Sequence, residues 1–136
     1  MNLARVTLAA VGAFVVYFAL GGIFFANPGM RAEFRKYTAV YRSQESMKRV
    51  MPIGMLGMLA AMAALAVLFA MLYPAGATVI AGVHFGLLVA LFALGSFVLH
   101  NYVNLNIGAR LTALQAIAYS IEWIAVGVII SLLYRP

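Results

Sequence analysis

Residues 111–134 read LTALQAIAYSIEWIAVGVIISLLY, a stretch in which Glu122 is the single charged side chain. About 20 mostly apolar residues in a helix cross the hydrocarbon core of a bilayer. Peptide groups in hydrocarbon have to bond within their own segment, which an α-helix achieves. This stretch therefore predicts a transmembrane helix that carries one ionisable group close to its midpoint.

Three more apolar runs have the length of a membrane span, and none of them contains Lys, Arg, Asp or Glu. They cover residues 6–26, 51–73 and 77–99. Only 9% of the 136 residues are charged and 66% are hydrophobic, with a mean hydropathy of +1.05. Soluble domains carry about 25% charged residues. We therefore predict an all-α fold: one domain over residues 1–136, built as a four-helix transmembrane bundle with up-down topology.

The composition also limits the chemistry of the chain. It contains no Cys and no Asp, which excludes disulfides, thiolate zinc sites, cysteine nucleophiles and Asp-based metal sites. No Ser or Thr stands in a recognisable catalytic motif with a base and an acid. We therefore predict no catalytic residue, no metal site and no cofactor from the sequence.

The connection between the first two spans, residues 27–50, is basic. Asn27 followed by Pro28 is a favourable start for a helix. Apolar residues recur at near-helical spacing from Met30 onwards, which predicts a basic amphipathic helix on the lipid head groups; a solvated loop is the alternative. We expect this segment to contact anionic lipid head groups, and no motif indicates nucleic-acid binding. Its six basic residues are Arg31, Arg35, Lys36, Arg42, Lys48 and Arg49.

The basic residues also predict an orientation. With four spans, the first and third loops lie on the same side of the membrane. That side holds the six basic residues of the first loop and Arg110, whereas the opposite side holds Arg5 and Arg135. Loops rich in Lys and Arg stay in the cytoplasm. We predict a multi-pass protein of the inner (plasma) membrane with both termini on the non-cytoplasmic side.

Small residues indicate where the helices pack. Close backbone approach at Gly and Ala drives helix association in lipid. One such face is predicted in the third span and another in the second. We expect both at helix contacts, either inside the bundle or between chains of a homodimer or a larger membrane complex. The two faces consist of Gly82, Gly86 and Ala90, and of Gly54, Gly57 and Ala61.

Glu122 is the first candidate for a functional site. An ionisable side chain at membrane depth is costly, so it is paired, protonated or facing a cavity. Gln115 and Tyr119 share its helical face, and Trp123 follows it. The functional alternatives are a proton carrier, a cation site or a ligand anchor. The structural alternative is a protonated Glu that bonds to a neighbouring helix.

Two histidines complete the candidates. His84 lies about four residues from the depth of Glu122, or about 6 Å along the helix axis, so the two could form a pair. The alternative is a neutral His84 bonded to a backbone carbonyl or to Tyr17. We count Tyr17 of the first span, with Glu122, among the candidates for the ligand or proton site. The second histidine begins an interfacial polar cluster, which predicts turn and capping contacts, with a head-group site as the alternative. That cluster is His100, Asn101, Asn104 and Asn106.

The order of features resembles a group of small bacterial four-helix inner-membrane proteins of unknown function. In that group, an aromatic-rich end of the first helix precedes a basic cytoplasmic segment, and a short Asn-containing turn joins the last two helices. The matching stretches here are residues 17–27, 31–49 and 86–127. The resemblance implies the fold and the membrane, and it implies no activity.

These observations lead to three hypotheses of function. The first is a non-enzymatic membrane protein that binds a lipophilic ligand or a partner membrane subunit in the Glu122/His84 region. The second is a dimeric proton-coupled transporter with Glu122 as the carrier. The third is a lipid-modifying membrane enzyme, for which the chain lacks a visible catalytic pair.

Overall fold

The computed structural model describes residues 2–135, and within that range the chain is helical without a β-strand. It contains α1 (Leu3–Ala26), α2 (Pro28–Arg35), α3 (Gln44–Leu72), α4 (Val79–Ala93), a π-helical turn (Leu94–Leu99), α5 (His100–Asn104) and α6 (Ala109–Leu133). The prediction of an all-α membrane protein is confirmed, because four stretches are long and apolar enough to cross a bilayer. They are Leu3–Ala26, Gln44–Leu72, Val79–Asn104 and Ala109–Leu133.

Polar side chains mark where most of these helices begin. Asn2 accepts a hydrogen bond from the backbone N–H of Arg5 at 3.2 Å. Asn27 accepts one from the N–H of Gly29 at 2.9 Å, with Pro28 in the first helical position. Ser43 and Thr78 cap α3 and α4 in the same way. Each cap satisfies an N–H that the first helical turn leaves without a partner.

α6 lies at the centre of the bundle, with α1 and α4 both packed against it. A Cβ atom on Gly12 of α1 would meet Leu133 near the end of α6, and one on Gly21 would meet Glu122. The two helices therefore run past each other in opposite directions. α3 packs mainly on α1.

The contact between α4 and α6, here called the glycine seam, brings the two backbones together at Gly82, Gly86 and Gly127. A Cβ atom on Gly86 would lie 2.6 Å from the carbonyl oxygen of Trp123. One on Gly127 would lie 2.6 Å from the backbone nitrogen of Gly86. Ala90 is also buried, one turn further along α4. The seam therefore has the close backbone approach that stabilises helix pairs in lipid.

The second small-residue face has no such contact. Gly54 and Gly57 have open space where a Cβ atom would stand, and Ala61 is exposed. α3 enters the core only with its later residues, which include Met62 and Phe69. Because α3 is 29 residues long, its first half extends beyond the part that packs on α1. A contact of this face inside the bundle is therefore not formed, and contact with another chain stays a prediction.

The third span is longer than its apolar run predicts. The helix passes the expected end at residue 99 and continues to Asn104. Its polar end is supported by the side-chain amide of Asn104, which donates to the carbonyl oxygen of His100 at 2.8 Å. The π-helical turn inside this span buries Val98 and places Phe97 against Tyr119 of α6.

The connection between α1 and α3 is neither one continuous surface helix nor a free loop. α2 is eight residues long, and the chain then turns before α3 begins. Met30 is buried together with Ile107, just before α6, and Leu111 in its first turn. The apolar residues of this segment therefore pack on the end of the bundle as well as following a helical spacing.

Candidate functional site

Glu122 lies near the middle of α6, about 20 Å from its first residue and about 17 Å from its last. Its side chain is fully buried, with an exposed fraction of 0%. Within residues 2–135, neither of its carboxyl oxygens accepts a hydrogen bond of good geometry, and the hydroxyl group of Tyr17 is the nearest side-chain donor that interacts with it. A buried polar group without a partner is costly, and an ionised one costs more. The packing of the chain therefore does not by itself account for this glutamate.

The face of α6 that carries Glu122 continues as a line of polar groups toward the start of the helix. Gln115, Tyr119 and Glu122 follow at helical spacing, and Gln115 is buried. The side-chain amide of Gln115 donates to the hydroxyl oxygen of Tyr41 at 3.4 Å. Polar side chains therefore lead from the segment after α2 to the middle of the membrane span.

A groove of about 270 Å³ opens beside Glu122 between α1 and α6, here called the glutamate groove. Gly21 leaves room for the carboxyl group, since a Cβ atom there would lie 3.5 Å from Oε1 of Glu122. Gly22 faces open space, with no atom within 4 Å of the position of a Cβ atom. The groove is lined by Tyr17, Phe18, Gly21, Gly22, Phe25, Tyr119 and Glu122.

Aromatic contacts fix the walls of this groove. Tyr17 packs on Trp123 with ring centroids 5.1 Å apart. Tyr119 is held between Phe25 of α1 and Phe97 of the π-helical turn, each at 5.5 Å. Offset and edge-on ring pairs at these distances are attractive. The groove therefore has positioned aromatic walls, and the carboxyl group is buried directly behind them.

A second groove lies along the same pair of helices and is entirely aliphatic. Its volume is about 530 Å³. It offers neither a hydrogen bond nor a charge to an occupant, which is the usual environment for a lipid chain. Its lining residues are Val16, Leu20, Ile121, Ile124, Ala125, Val128 and Ile129.

The structure does not bring His84 to Glu122, which corrects the pairing considered from depth alone. His84 is exposed, whereas Gly82 and Gly86 on either side of it are buried against α6. Positions two residues away lie on the opposite side of a helix. Counting residues along a span gives the depth of a side chain in the membrane. It does not determine the direction in which that side chain points around the helix axis.

The interfacial polar cluster stays local. Asn104 bonds to the backbone of His100, and the backbone carbonyl of Asn101 accepts from the N–H of Leu105 at 2.8 Å. His100, Asn104 and Asn106 are exposed. These contacts end the helix, and the cluster lies apart from the residues that line the glutamate groove.

A buried ion pair was missed in the sequence. The side chain of Glu33 is 5% exposed, and its Oε1 lies 2.7 Å from Nζ of Lys36 and 3.3 Å from Nε of Arg110. Nearby, the backbone N–H of Gly108 donates to the hydroxyl oxygen of Tyr37 at 3.0 Å. The available signal was that Glu33 follows Met30 on the apolar face of α2, where an acidic residue needs a partner.

Other groups that could carry chemistry are satisfied locally. The hydroxyl groups of Ser96, Ser120 and Ser131 each donate to a backbone carbonyl of their own helix at 2.7 Å. In the described part of the chain, no three metal-ligating side chains come together.

Comparison of the chain with protein-family models, curated proteins and solved structures gave no match. The glutamate groove is therefore the feature on which a function can be argued.

Proposed function

We propose that the protein binds a lipophilic ligand in the glutamate groove, with Glu122 as the polar anchor. The observation that carries the proposal is the carboxyl group of Glu122, which is buried at the middle of α6, borders a groove and accepts no hydrogen bond of good geometry among residues 2–135. Ligand sites are mostly apolar concavities with a few placed polar groups. The glutamate groove fits that description.

The groove also suits a ligand that arrives through the bilayer. Phe18 and Gly22 on its wall are exposed on α1, within a helix that is apolar and long enough to cross the membrane. A lipophilic molecule dissolved in the hydrocarbon could enter sideways. Because the side chain of Glu122 is 0% exposed, the aromatic walls would have to part for a polar group of that molecule to reach the carboxyl group. The remaining surface of the molecule would stay in contact with lipid and with the aromatic walls.

Native mass spectrometry of the protein purified in a mild detergent tests the proposal. We expect a retained small molecule on the natural chain and its loss in Glu122→Gln. Glu45→Gln is the matched control, because Glu45 is exposed and pairs only with Arg49 on its own helix. A natural chain that retains no small molecule, or a Glu122→Gln variant that retains it equally well, would contradict the proposal.

A dimeric proton-coupled transporter is the second candidate, and the polar line from Tyr41 through Gln115 and Tyr119 favours it. Such a line could carry a proton between the membrane surface and Glu122. Proteoliposomes that contain a pH-sensitive dye would report proton movement during substrate exchange. Proton movement that Glu122→Gln leaves unchanged removes Glu122 as the carrier.

The membrane arrangement forms a further part of the proposal. We propose that the four spans alternate in direction in the inner membrane, with the basic segment and Arg110 on the cytoplasmic side and both termini opposite. The ion pair of Glu33 with Arg110 supports this, because it joins the first and third loops at one end of the bundle. Single cysteines at positions 5 and 48 should be labelled from opposite sides; labelling from the same side contradicts it.

The exposed face of α3 supports a proposal of self-association. Gly54 and Gly57 leave room for a second helix at close range. The chain contains no cysteine, so Gly57→Cys provides a single crosslinking position. Disulfide-linked dimers in native membranes would support a homodimer. Their absence, with crosslinking to another protein, would indicate a larger complex instead.

A further inference from the structure

We infer that the group bound by Glu122 is a monovalent organic cation, an amine or a quaternary ammonium, attached to a lipophilic body. This inference rests on the proposed ligand-binding function and specifies the class of ligand. It depends on three properties of the glutamate groove, which are its charge, the composition of its walls and its size.

The charge of the groove favours a cation. Among the side chains that line it, Glu122 is the one acidic group and none is basic. Within the described chain, the ion pairs to acidic residues involve Glu33 and Glu45, which lie outside the groove. A positive group against Glu122 would supply a counter-charge. An amine would also donate a hydrogen bond to the carboxyl group, and a quaternary ammonium would make a close polar contact with it. Charges attract more strongly in an apolar surrounding than in water.

The walls favour an organic cation over a metal ion. Four of the seven lining residues are aromatic: Tyr17, Phe18, Phe25 and Tyr119. Ring faces attract ammonium groups within about 6 Å, and aromatic cages are a recurring solution for quaternary ammonium ligands. Hard metal ions require several oxygen ligands, and a single carboxyl group does not provide them. Glu122 and the rings together match an ammonium head group.

The size of the groove places the rest of the ligand outside it. Its volume of about 270 Å³ lies below the range of about 300–1,000 Å³ for sites that enclose a whole drug-sized ligand. The groove can hold an ammonium head and the first carbons of a chain. Exposed Phe18 and Gly22 leave a path for that chain into the surrounding hydrocarbon. The expected ligand is therefore amphiphilic, with its charge at Glu122.

Fluorescence provides a direct test, because Trp123 is the single tryptophan and packs on Tyr17 of the groove. The probes are three brominated amphiphiles of equal chain length: a trimethylammonium, an alcohol and a carboxylate. Bromine quenches tryptophan emission at short range. In a neutral detergent, we expect saturable quenching by the ammonium probe at a concentration at least about tenfold lower than by the other two.

Variants assign that preference to the groove. Glu122→Gln should weaken binding of the ammonium probe by about 10- to 100-fold and leave binding of the alcohol probe unchanged. Glu45→Gln is the control for the loss of a carboxyl group. Tyr17→Leu should weaken binding of the ammonium probe by about 3- to 30-fold. Its control is Tyr102→Leu, because Tyr102 is exposed. If Glu122→Gln does not fold, the relative affinities of the three probes for the natural chain still test whether the groove prefers a cation.

The possible failures are distinguishable. Equal saturable quenching by the ammonium and the alcohol, or tighter binding of the carboxylate, would overturn the cationic class and leave the proposed ligand-binding function standing. Absence of saturable quenching by all three probes would count against both. Ammonium quenching that is unchanged in Glu122→Gln would overturn the role of Glu122 in both proposals.

Discussion

α6 makes two contacts that differ in kind, the glycine seam with α4 and the aromatic contact with α1. At the seam, backbone meets backbone and a single added Cβ atom would collide with main-chain atoms. At the α1 contact, Gly22 faces open space and a groove remains beside Glu122. Both contacts use glycine, once to bring helices together and once to keep a space open.

The difference separates the part of the bundle that holds the fold from the part that can accept an occupant. Small residues allow dispersion contacts along the whole seam, which is the main source of helix association in lipid. At the α1 contact, aromatic rings pack on α6 around the groove, and beyond it the ion pair of Glu33 in α2 with Arg110 lies at the end of the bundle. Substitutions at the two contacts should therefore have opposite consequences for stability and binding.

The largest effect on stability is expected for Gly127→Ala. Its Cβ atom would meet backbone atoms of Gly82 and Gly86, so α4 and α6 would have to move apart. We expect a loss of about 3 kcal/mol in the free energy of unfolding, measured by reversible denaturation in mixed micelles. The control is Gly22→Ala, the same change at an open position of α1, which should be neutral or slightly stabilising. Equal stability of the two variants would remove the distinction between the glycine seam and the α1 contact.

An intermediate effect is expected at the ion pair that joins α2 to the start of α6. Glu33 is buried, whereas Lys36 and Arg110 are largely exposed, so water screens part of the attraction. We expect Glu33→Gln to lower the free energy of unfolding by about 1 kcal/mol. A double-mutant cycle with Arg110→Gln should give a coupling of about 0.5 kcal/mol or more. A coupling of zero would show that α2 is held by its apolar residues alone.

The smallest effect on stability, with a large effect on binding, is expected for Gly22→Leu. The added side chain would enter open space and fill part of the glutamate groove. The free energy of unfolding should change by less than about 0.5 kcal/mol. Retention of the small molecule in native mass spectra should be lost. A variant that retains it would place the ligand elsewhere on the protein.

Several features could be predicted because they depend on local spacing. Apolar length predicted the four spans, Asn27 with Pro28 predicted the start of α2, and helical spacing placed Gln115, Tyr119 and Glu122 on one face. The small residues Gly82 and Gly86 were also expected at a contact. Each of these depends on residues within a few turns of one helix.

The remaining features depend on how helices rotate and meet, which spacing within one helix does not determine. His84 has a suitable depth but lies on the opposite face of α4. Gly54 and Gly57 form a small-residue face like Gly82 and Gly86, yet no helix within residues 2–135 covers them. Of the α1 wall, Tyr17 was the one residue expected near Glu122. Glu33 was missed because its partner Arg110 is distant in sequence.

The most direct measurement is an experimental structure of the protein purified from its native membrane into lipid nanodiscs without added ligand. We predict non-protein density in the glutamate groove, with an atom within hydrogen-bonding distance of the Glu122 carboxyl group and aromatic rings around it. A groove closed by α1, with Glu122 bonded to another side chain of the same chain, would contradict the assignment of this site to a ligand.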